Sequence, residues 1–399
     1  MRQSFAQITS IVSQYQHYWR QDPFHQVVSQ QIQWRQENPA LYQWLQTLTA
    51  SDIASLKENL AQCVTQLEPF LPGIIALHQS IQLATVEQTD VTALPRGLDS
   101  GIPGRKLEQI KQMSSACLHH HHGNEWLEWC SGKGFLGRLL AAQSGQKVTS
   151  FEYQQALCEA GQIEADKRAL PMTFVQGDAF SDEANHVFNG RQHAVALHAC
   201  GDLHIELIQY SVKHQLSALT LSPCCYHLIR GNEYQPLSKA ARATHFPLSK
   251  QELRIPLQET VTGGERVRRH REQEMVFRLG FDALCRENHL CEGYMPVPSL
   301  KKSQLSDGFR ALCEWAAANK SLSLPDVNFD HYERLGYERY WQMEALSLVQ
   351  GVFRRPLEVW LAMDKVLYLE EQGYQVRLTT FCDSQTTPRN LLIHASYKQ

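Results

Sequence analysis

The residues best suited to chemistry begin at Glu125-Trp126-Leu127-Glu128-Trp129-Cys130-Ser131-Gly132-Lys133-Gly134-Phe135-Leu136-Gly137, an apolar run leading into a glycine-rich turn. The glycines stand as G-x-G-x-x-G, and Glu128 lies just ahead of them. A second acid, Glu152, closes the run Val148-Thr149-Ser150-Phe151, and a third, Asp178, follows Val175-Gln176-Gly177. Gly132 and Gly134 let a ligand approach the backbone without meeting a Cβ. Carboxylates at successive strand ends can accept hydrogen bonds from ribose hydroxyls and from an adenine amino group. The combination predicts an adenosine-containing cofactor, either a dinucleotide or S-adenosylmethionine. In the second case Glu152 takes the ribose and Asp178 the adenine amino group. Glu128 then receives the ammonium of the methionine half, directly or through water.

Two further clusters, His198-Ala199-Cys200-Gly201-Asp202-Leu203 and Ser222-Pro223-Cys224-Cys225-Tyr226-His227, each close an apolar run. Ligands of open α/β sheets lie beyond the carboxyl ends of the strands, so both clusters are expected to border the reacting group. Three chemistries are open to them. Cys200, Cys224, His227 and His198 could ligate a metal, but adjacent cysteines seldom turn to one ion and no C-x-x-C is present, so no metal is expected. A thiolate activated by a neighbouring histidine could add to a pyrimidine ring. Alternatively His227 or Asp202 removes a proton while Tyr226 and the backbone orient the acceptor. Against all three stands the plain reading of the cysteines as small apolar packing residues. The candidate acceptor-side residues are His198, Cys200, Asp202, Cys225, Tyr226 and His227.

The elements that must position these groups alternate in type. Candidate strands at 126–130, 147–153, 172–177, 194–198 and 218–222 are separated by helical stretches at 135–143, 156–169 and 203–214, the pattern of a parallel α/β sheet. The chain closes with a helix at 357–371 and strands at 375–381 and 390–395. The link between those last strands is too short for a crossover helix, so they are expected to pair antiparallel. A dinucleotide domain keeps its strands parallel. The closing hairpin and Asp178 therefore favour S-adenosylmethionine. The expected fold is α/β, a Rossmann-like class I S-adenosylmethionine-dependent methyltransferase with a mostly parallel seven-stranded sheet and an antiparallel C-terminal hairpin. Ahead of it, Trp34, Leu41, Trp44, Leu45 and Leu48, then Leu56, Leu60, Val64 and Leu67, show helical spacing. The expected domains are a helical module at 1–95 and a methyltransferase domain at 96–399 with a mostly helical insertion at 229–355. A turn-rich connector at 94–104 leads into a helix at 105–113.

Bulk properties remove several classes. The chain has 399 residues, 43% of them apolar, enough for more than one core. Its net charge of −3 creates no global field toward nucleic acid or anionic lipid. No apolar run reaches the roughly 20 residues of a membrane span, and Met1-Arg2-Gln3-Ser4-Phe5 lacks a signal-peptide core. The 11 cysteines are an odd number without an export signal, which predicts reduced thiols in the cytoplasm. His119-His120-His121-His122 reads as a polar loop ahead of the first strand.

The blocks Trp129-Cys130-Ser131-Gly132-Lys133-Gly134-Phe135-Leu136, His198-Ala199-Cys200-Gly201-Asp202-Leu203 and Cys224-Cys225-Tyr226-His227 resemble those of a known group of S-adenosylmethionine-dependent methyltransferase domains. That group includes eukaryotic methyltransferase-like proteins with a Cys-Cys-Tyr-His signature. The chain is also similar to the tRNA acceptor-stem 2′-O-methyltransferases, which carry Lys-His-Leu-Cys-Gly and Cys-Cys-His-His blocks. The resemblance extends to Asp364 through Glu371 with Thr387-Pro388-Arg389-Asn390, and back to Arg105-Lys106-Leu107-Glu108-Gln109-Ile110. It implies that Gly132, Gly134, Glu152 and Asp178 hold the cofactor while His198, Cys200, Asp202, Tyr226 and His227 line the acceptor side. Two positions depart from the tRNA enzymes: Ala199 stands where they carry Leu, and Tyr226 replaces their first histidine.

For the acceptor, the strand preceding His198 does not end in the Asn/Asp-Pro-Pro-aromatic motif that cradles exocyclic amino groups. Oxygen, carbon and protein nitrogen acceptors stay open. Arg266-Val267-Arg268-Arg269-His270-Arg271 forms a basic stretch, with Arg278, Arg286, Lys301, Lys302, Arg354 and Arg355 further on. Tyr332, Tyr337, Tyr340 and Trp341 could stack bases. The expected partner is RNA, tRNA or rRNA, bound through 266–271, with no membrane partner. The competing readings are a protein or small-molecule methyltransferase, or a non-catalytic cofactor-binding adaptor. The plainest reading of the basic run is a solvated helix face balanced by Glu265, Glu272 and Glu274.

Overall fold

The computed structural model describes residues 1–86, 97–258, 265–298 and 305–398. Residues 94–96 of the connector at 94–104, Gly263-Gly264 and the cations Lys301 and Lys302 therefore lie outside the described residues, as do the side chains of Arg105 and His198. The described chain divides into two compact units. One comprises 1–9, 80–258 and 355–399, and the other 10–79 and 259–354. The helical N-terminal segment and most of the expected insertion thus share one unit, whereas 229–258 go with the sheet. Amphipathic spacing shows that a helix has a face to bury, but it does not name the partner.

In the first unit, seven strands form one sheet: β1 (Glu125–Trp129), β2 (Val148–Glu152), β3 (Met172–Gln176), β4 (Gln192–Cys200), β5 (Ala218–Cys224), β6 (Tyr374–Thr380) and β7 (Leu391–Tyr397). Their order is β3-β2-β1-β4-β5-β7-β6. β1 to β5 run parallel, and β7 lies antiparallel to both β5 and β6. This is the class I methyltransferase sheet, with β7 inserted between β5 and β6. β1, β2 and β5 are buried at every residue, as expected of strands covered on both faces. Helices Gly104–His119 and Phe135–Ser144 cover one face, and Ile110, Met113, Trp126, Leu139 and Val195 meet in the core there. The helix after the glycine turn is opened by Gly134 at φ +69° and closed by Gly145 at φ +67°, left-handed positions that suit glycine.

Strand order reverses between β1 and β4, which opens a crevice at their carboxyl ends. β4 runs past the expected 198 and carries an irregularity between Leu197 and Cys200. It ends with Cys200 paired to Cys224 of β5.

The second unit is helical. Helices Glu265–Glu287 and Phe329–Gly351 cross with their backbones in contact: a Cβ on Gly336 would stand 2.4 Å from the Val276 carbonyl oxygen, and one on Gly280 would stand 2.7 Å from that of Tyr332. Phe277, Phe281, Phe309 and Leu312 fill the core beside them. Buried Asp282 is paired there with Arg286 and Arg339 at 3.2 Å each. Among the described residues, no helix is long and apolar enough to cross a membrane.

Candidate active site

β1 ends in the turn Cys130 to Gly134, whose residues Cys130, Gly132 and Gly134 all have positive φ. A Cβ on Gly134 would stand 2.4 Å from the Phe174 ring, so that glycine is needed for packing. A Cβ on Gly132 would meet nothing within 4 Å, which makes it the position where the turn faces open space. The Gly132 N–H donates to Glu152 Oε2 at 2.9 Å, and the Gln154 N–H donates to Oε1 at 3.0 Å. Two backbone donors therefore aim the Glu152 carboxylate beside the turn, and its remaining lone pairs suit a vicinal diol. Asp178 sits two residues past the Gln176 position that pairs with Glu152. It is exposed and accepts from the Phe180 N–H at 2.9 Å. An open-faced glycine turn, an anchored carboxylate and an exposed one, in that order along three strand ends, fit the methionine, ribose and adenine parts of the cofactor.

Glu128 does a different job from the one expected. Its side chain is buried, accepts from Ser150 Oγ at 2.8 Å, and receives the backbone N–H groups of Leu136 and Gly137. It therefore ties β1 and β2 to the start of the helix rather than offering itself to an ammonium. Gly137 makes this contact feasible, because a Cβ there would lie 2.4 Å from Glu128 Oε2. Burial pushes the Glu128 carboxyl up to about 7, against those donors and Arg138.

The two acceptor-side clusters converge at the ends of β4 and β5. Gly201 takes φ +55° with ψ −127°, and its N–H donates to the Cys224 carbonyl at 3.1 Å. A Cβ on Gly201 would stand 2.0 Å from the Leu228 carbonyl oxygen, so only glycine permits the two loops to lie against each other. Cys200 Sγ and Cys224 Sγ are 3.6 Å apart, and Cys225, held at φ +50°, brings a third sulfur to the group. Hydrogen bonds from the other two thiols hold the Cys225 sulfur well below the usual thiol range, and Arg389 and His227 add to this. The Cys224 thiol is pushed up by the same partners and by burial.

His227 is half-buried, and burial lowers its pKa, helped by Arg254, Lys250 and Arg389 and opposed by Cys225. It is therefore a neutral imidazole at pH 7, able to accept a proton. Asp202 is committed elsewhere, accepting from the Arg230 N–H at 2.7 Å and lying 3.5 Å from its guanidinium. Tyr226 is also displaced from its expected role. It is only 2% exposed, edge-on to His204, with the Lys365 ammonium 5.4 Å over its ring. It packs behind the loop instead of lining the crevice.

Sequence reasoning overlooked Lys250 and Arg254 and gave Arg389 no role in the site. They approach from the loop after β5 and the segment before β7, and no local spacing links them to the cysteines. Lys365, buried in helix Arg354–Glu371, donates to Tyr234 Oη at 3.1 Å and to the Leu361 carbonyl at 2.9 Å. Burial lowers its ammonium to about 8. Its neighbour Asp364 accepts from Tyr234 Oη at 2.6 Å and from the N–H groups of Leu237 and Ser238 at 2.9 and 2.8 Å. These two residues pin the 234–238 segment to the closing helix.

Residues 105–232 match the family model described as a methyltransferase domain. No curated protein matches the chain by sequence. Solved structures similar to it include the tRNA (uracil-54, C5)-methyltransferase of Pyrococcus abyssi in complex with S-adenosyl-L-homocysteine, at 18% identity over 29% of this chain and 28% of that one, with a TM-score of 0.24. Fibrillarin of Aeropyrum pernix, with natively bound S-adenosyl-L-methionine, shows 14% identity over 25% and 45% of the two chains, with a TM-score of 0.23. An S-adenosyl-L-homocysteine-bound methyltransferase of Podospora anserina shows 9% identity over 86% and 97%, with a TM-score of 0.32. The match to this chain spans less than half the length of the first two. The segment 105–232 is thus similar to a methyltransferase domain, and it contributes β1 to β5 of a sheet whose strand order is that of class I methyltransferases.

Proposed function

We propose that the protein transfers a methyl group from S-adenosylmethionine to RNA, with His227 as the base that accepts the proton of the attacking group. The observation that carries this reading is the setting of His227: a neutral imidazole at the end of β5, with Lys250, Arg254 and Arg389 around it. Three cations about one base favour a phosphate-bearing acceptor over an apolar one. The cofactor, when bound, supplies an electrophilic methyl on a sulfonium. Glu152 and Asp178 then hold its adenosine half, and the turn at Gly132 accommodates the methionine half. His227 takes the proton from the acceptor as its oxygen or nitrogen bonds to the methyl, and S-adenosylhomocysteine leaves neutral at sulfur.

The helical unit supplies a second basic surface. Arg266, Arg268, Arg269 and Arg271 are exposed on the opening turns of helix Glu265–Glu287, with Glu58 3.7 Å from Arg268. Other members of the expected RNA surface are used internally. Arg278 is bound to Glu274 and to the Val297 and Pro298 carbonyls, Arg286 to Asp282, and Arg355 to Glu358 and Asn390. Tyr332 is buried and accepts from Asn288 at 2.9 Å, whereas Tyr337 remains exposed.

The test is tritiated methyl transfer from S-adenosylmethionine into RNA and protein fractions of cells lacking this protein. Label is expected in RNA, and binding to RNA is expected to weaken steeply with salt. His227→Ala should lower kcat about 100-fold or more with cofactor affinity unchanged. Label in protein alone would overturn the RNA reading, and a kcat within a few-fold of wild type would remove His227 from the chemistry.

A further inference from the structure

The three sulfurs at the ends of β4 and β5 form a cluster that proton transfer by His227 does not use. Cys200, Cys224 and Cys225 place their Sγ atoms within 4.8 Å of one another. Cys200 and Cys224 face each other as paired residues on parallel strands, with 3.6 Å between the sulfurs. Two thiolates bound tetrahedrally to one zinc at about 2.3 Å each stand roughly 3.8 Å apart, so this pair already has a ligating separation. Adjacent cysteines in an extended strand point to opposite faces, which is why Cys224-Cys225 argues in sequence against a shared ion. The left-handed conformation of Cys225, φ +50°, removes that objection by turning the chain so that the second sulfur joins the first. A non-glycine residue in that conformation is uncommon.

A second, independent feature lies beside the sulfurs. His227, two residues after Cys225 and electrostatically coupled to it, has a buried Nδ1 with no hydrogen-bond partner among the described residues. The His227 ring nitrogens lie outside the 4.8 Å group that the three sulfurs form, so the imidazole completes a Cys3His donor set by turning its unpaired Nδ1 toward them.

We infer that Cys200, Cys224 and Cys225 form a binding site for a soft, thiophilic divalent cation, zinc in the first instance, with His227 as the fourth donor. Loading releases the thiol protons to solvent as three sulfur–metal bonds form, with no change of oxidation state. The site draws on the same β4 and β5 ends as the proposed chemistry, so metal occupancy would withhold His227 from acting as a base. The metal-free, reduced protein is then the form competent for proton transfer, a relation that rests on the methyl-transfer reading. The metal site itself does not.

The test is a titration of the full chain, reduced and freed of metal with chelator, with Co²⁺ followed by Zn²⁺. One Co²⁺ per chain is expected, with thiolate-to-cobalt charge-transfer absorption and the intense visible bands of a tetrahedral ion, both erased by zinc. Cys225→Ser and Cys200→Ser should each weaken zinc binding roughly 100-fold, whereas Cys291→Ser, in the helical unit, should leave it unchanged. Absence of charge-transfer absorption in the wild-type protein would overturn the site, as would undiminished binding by Cys225→Ser. A Cys200–Cys224 disulfide that persists under reductant would also overturn it. Since these readouts need neither cofactor nor acceptor, they stand apart from any failure of the methyl-transfer reading.

Discussion

Glu152→Ala is expected to weaken S-adenosylmethionine binding by about 100-fold, the equivalent of about 3 kcal/mol for two hydrogen bonds to a charged acceptor. Glu152 Oε2 and Oε1 are already oriented by the N–H groups of Gly132 and Gln154, so the carboxylate pays little entropy to meet a diol. Its removal leaves those two donors to water and takes away the ribose contact. Glu152→Gln keeps one acceptor oxygen in place and should lose only about tenfold. Calorimetric titration of both variants checks this order, and equal affinity in Glu152→Ala and wild type would remove the carboxylate from the cofactor site.

The second large effect is acid destabilisation of the sheet unit. His193 is fully buried, donates or accepts at Thr220 Oγ at 2.8 Å, and lies 3.1 Å from His121 through their Nδ1 atoms. Thr220 Oγ is in turn 2.8 Å from His394 Nδ1. Burial, then the neighbouring histidines, push His193 well below its ordinary value and His394 down to about 3. Burial, then Lys365, does the same to His204. Each of these imidazoles is neutral in the folded chain and takes a proton when unfolded below about 6.5. Their stabilisation is thus complete above 6.5 and is lost as the pH falls from 6.5 toward the folded values. Glu128 acts in the opposite sense, because its raised carboxyl binds a proton in the folded state between about 4.5 and 7. These buried imidazoles outnumber the raised Glu128 carboxyl, so stability to urea should fall with a positive slope against pH as the pH drops below about 6. His193→Asn should lower that slope by about one proton. A flat dependence from pH 7 to 5 would contradict the buried-neutral assignment.

The sheet was legible because hydrophobic runs, turn glycines and strand-end acids recur at regular spacing, and Glu152 and Asp178 sit where that pattern expects them. The antiparallel pairing of β6 and β7 could be read from the short link between them. Glu128 was misassigned because an acid at a strand end looks alike whether it faces ligand or helix. Only the missing side chain of Gly137 opens the inward route. Tyr226 was misassigned because neighbouring residues of one loop need not share exposure. The three-sulfur cluster was hidden for a conformational reason: side chains alternate in a strand, and the left-handed turn at Cys225 that breaks the alternation has no sequence mark. The cations around His227 come from remote segments, so composition alone could not gather them.

The central claim is that the crevice beside Gly132 and Glu152 binds an adenosine cofactor, and direct titration of the wild-type chain with S-adenosylhomocysteine tests it most simply. Saturable binding at one site per chain, competed by S-adenosylmethionine and unaffected by NAD, is the predicted result. Absence of saturable heat with ligand in large excess, or competition by NAD, would contradict it.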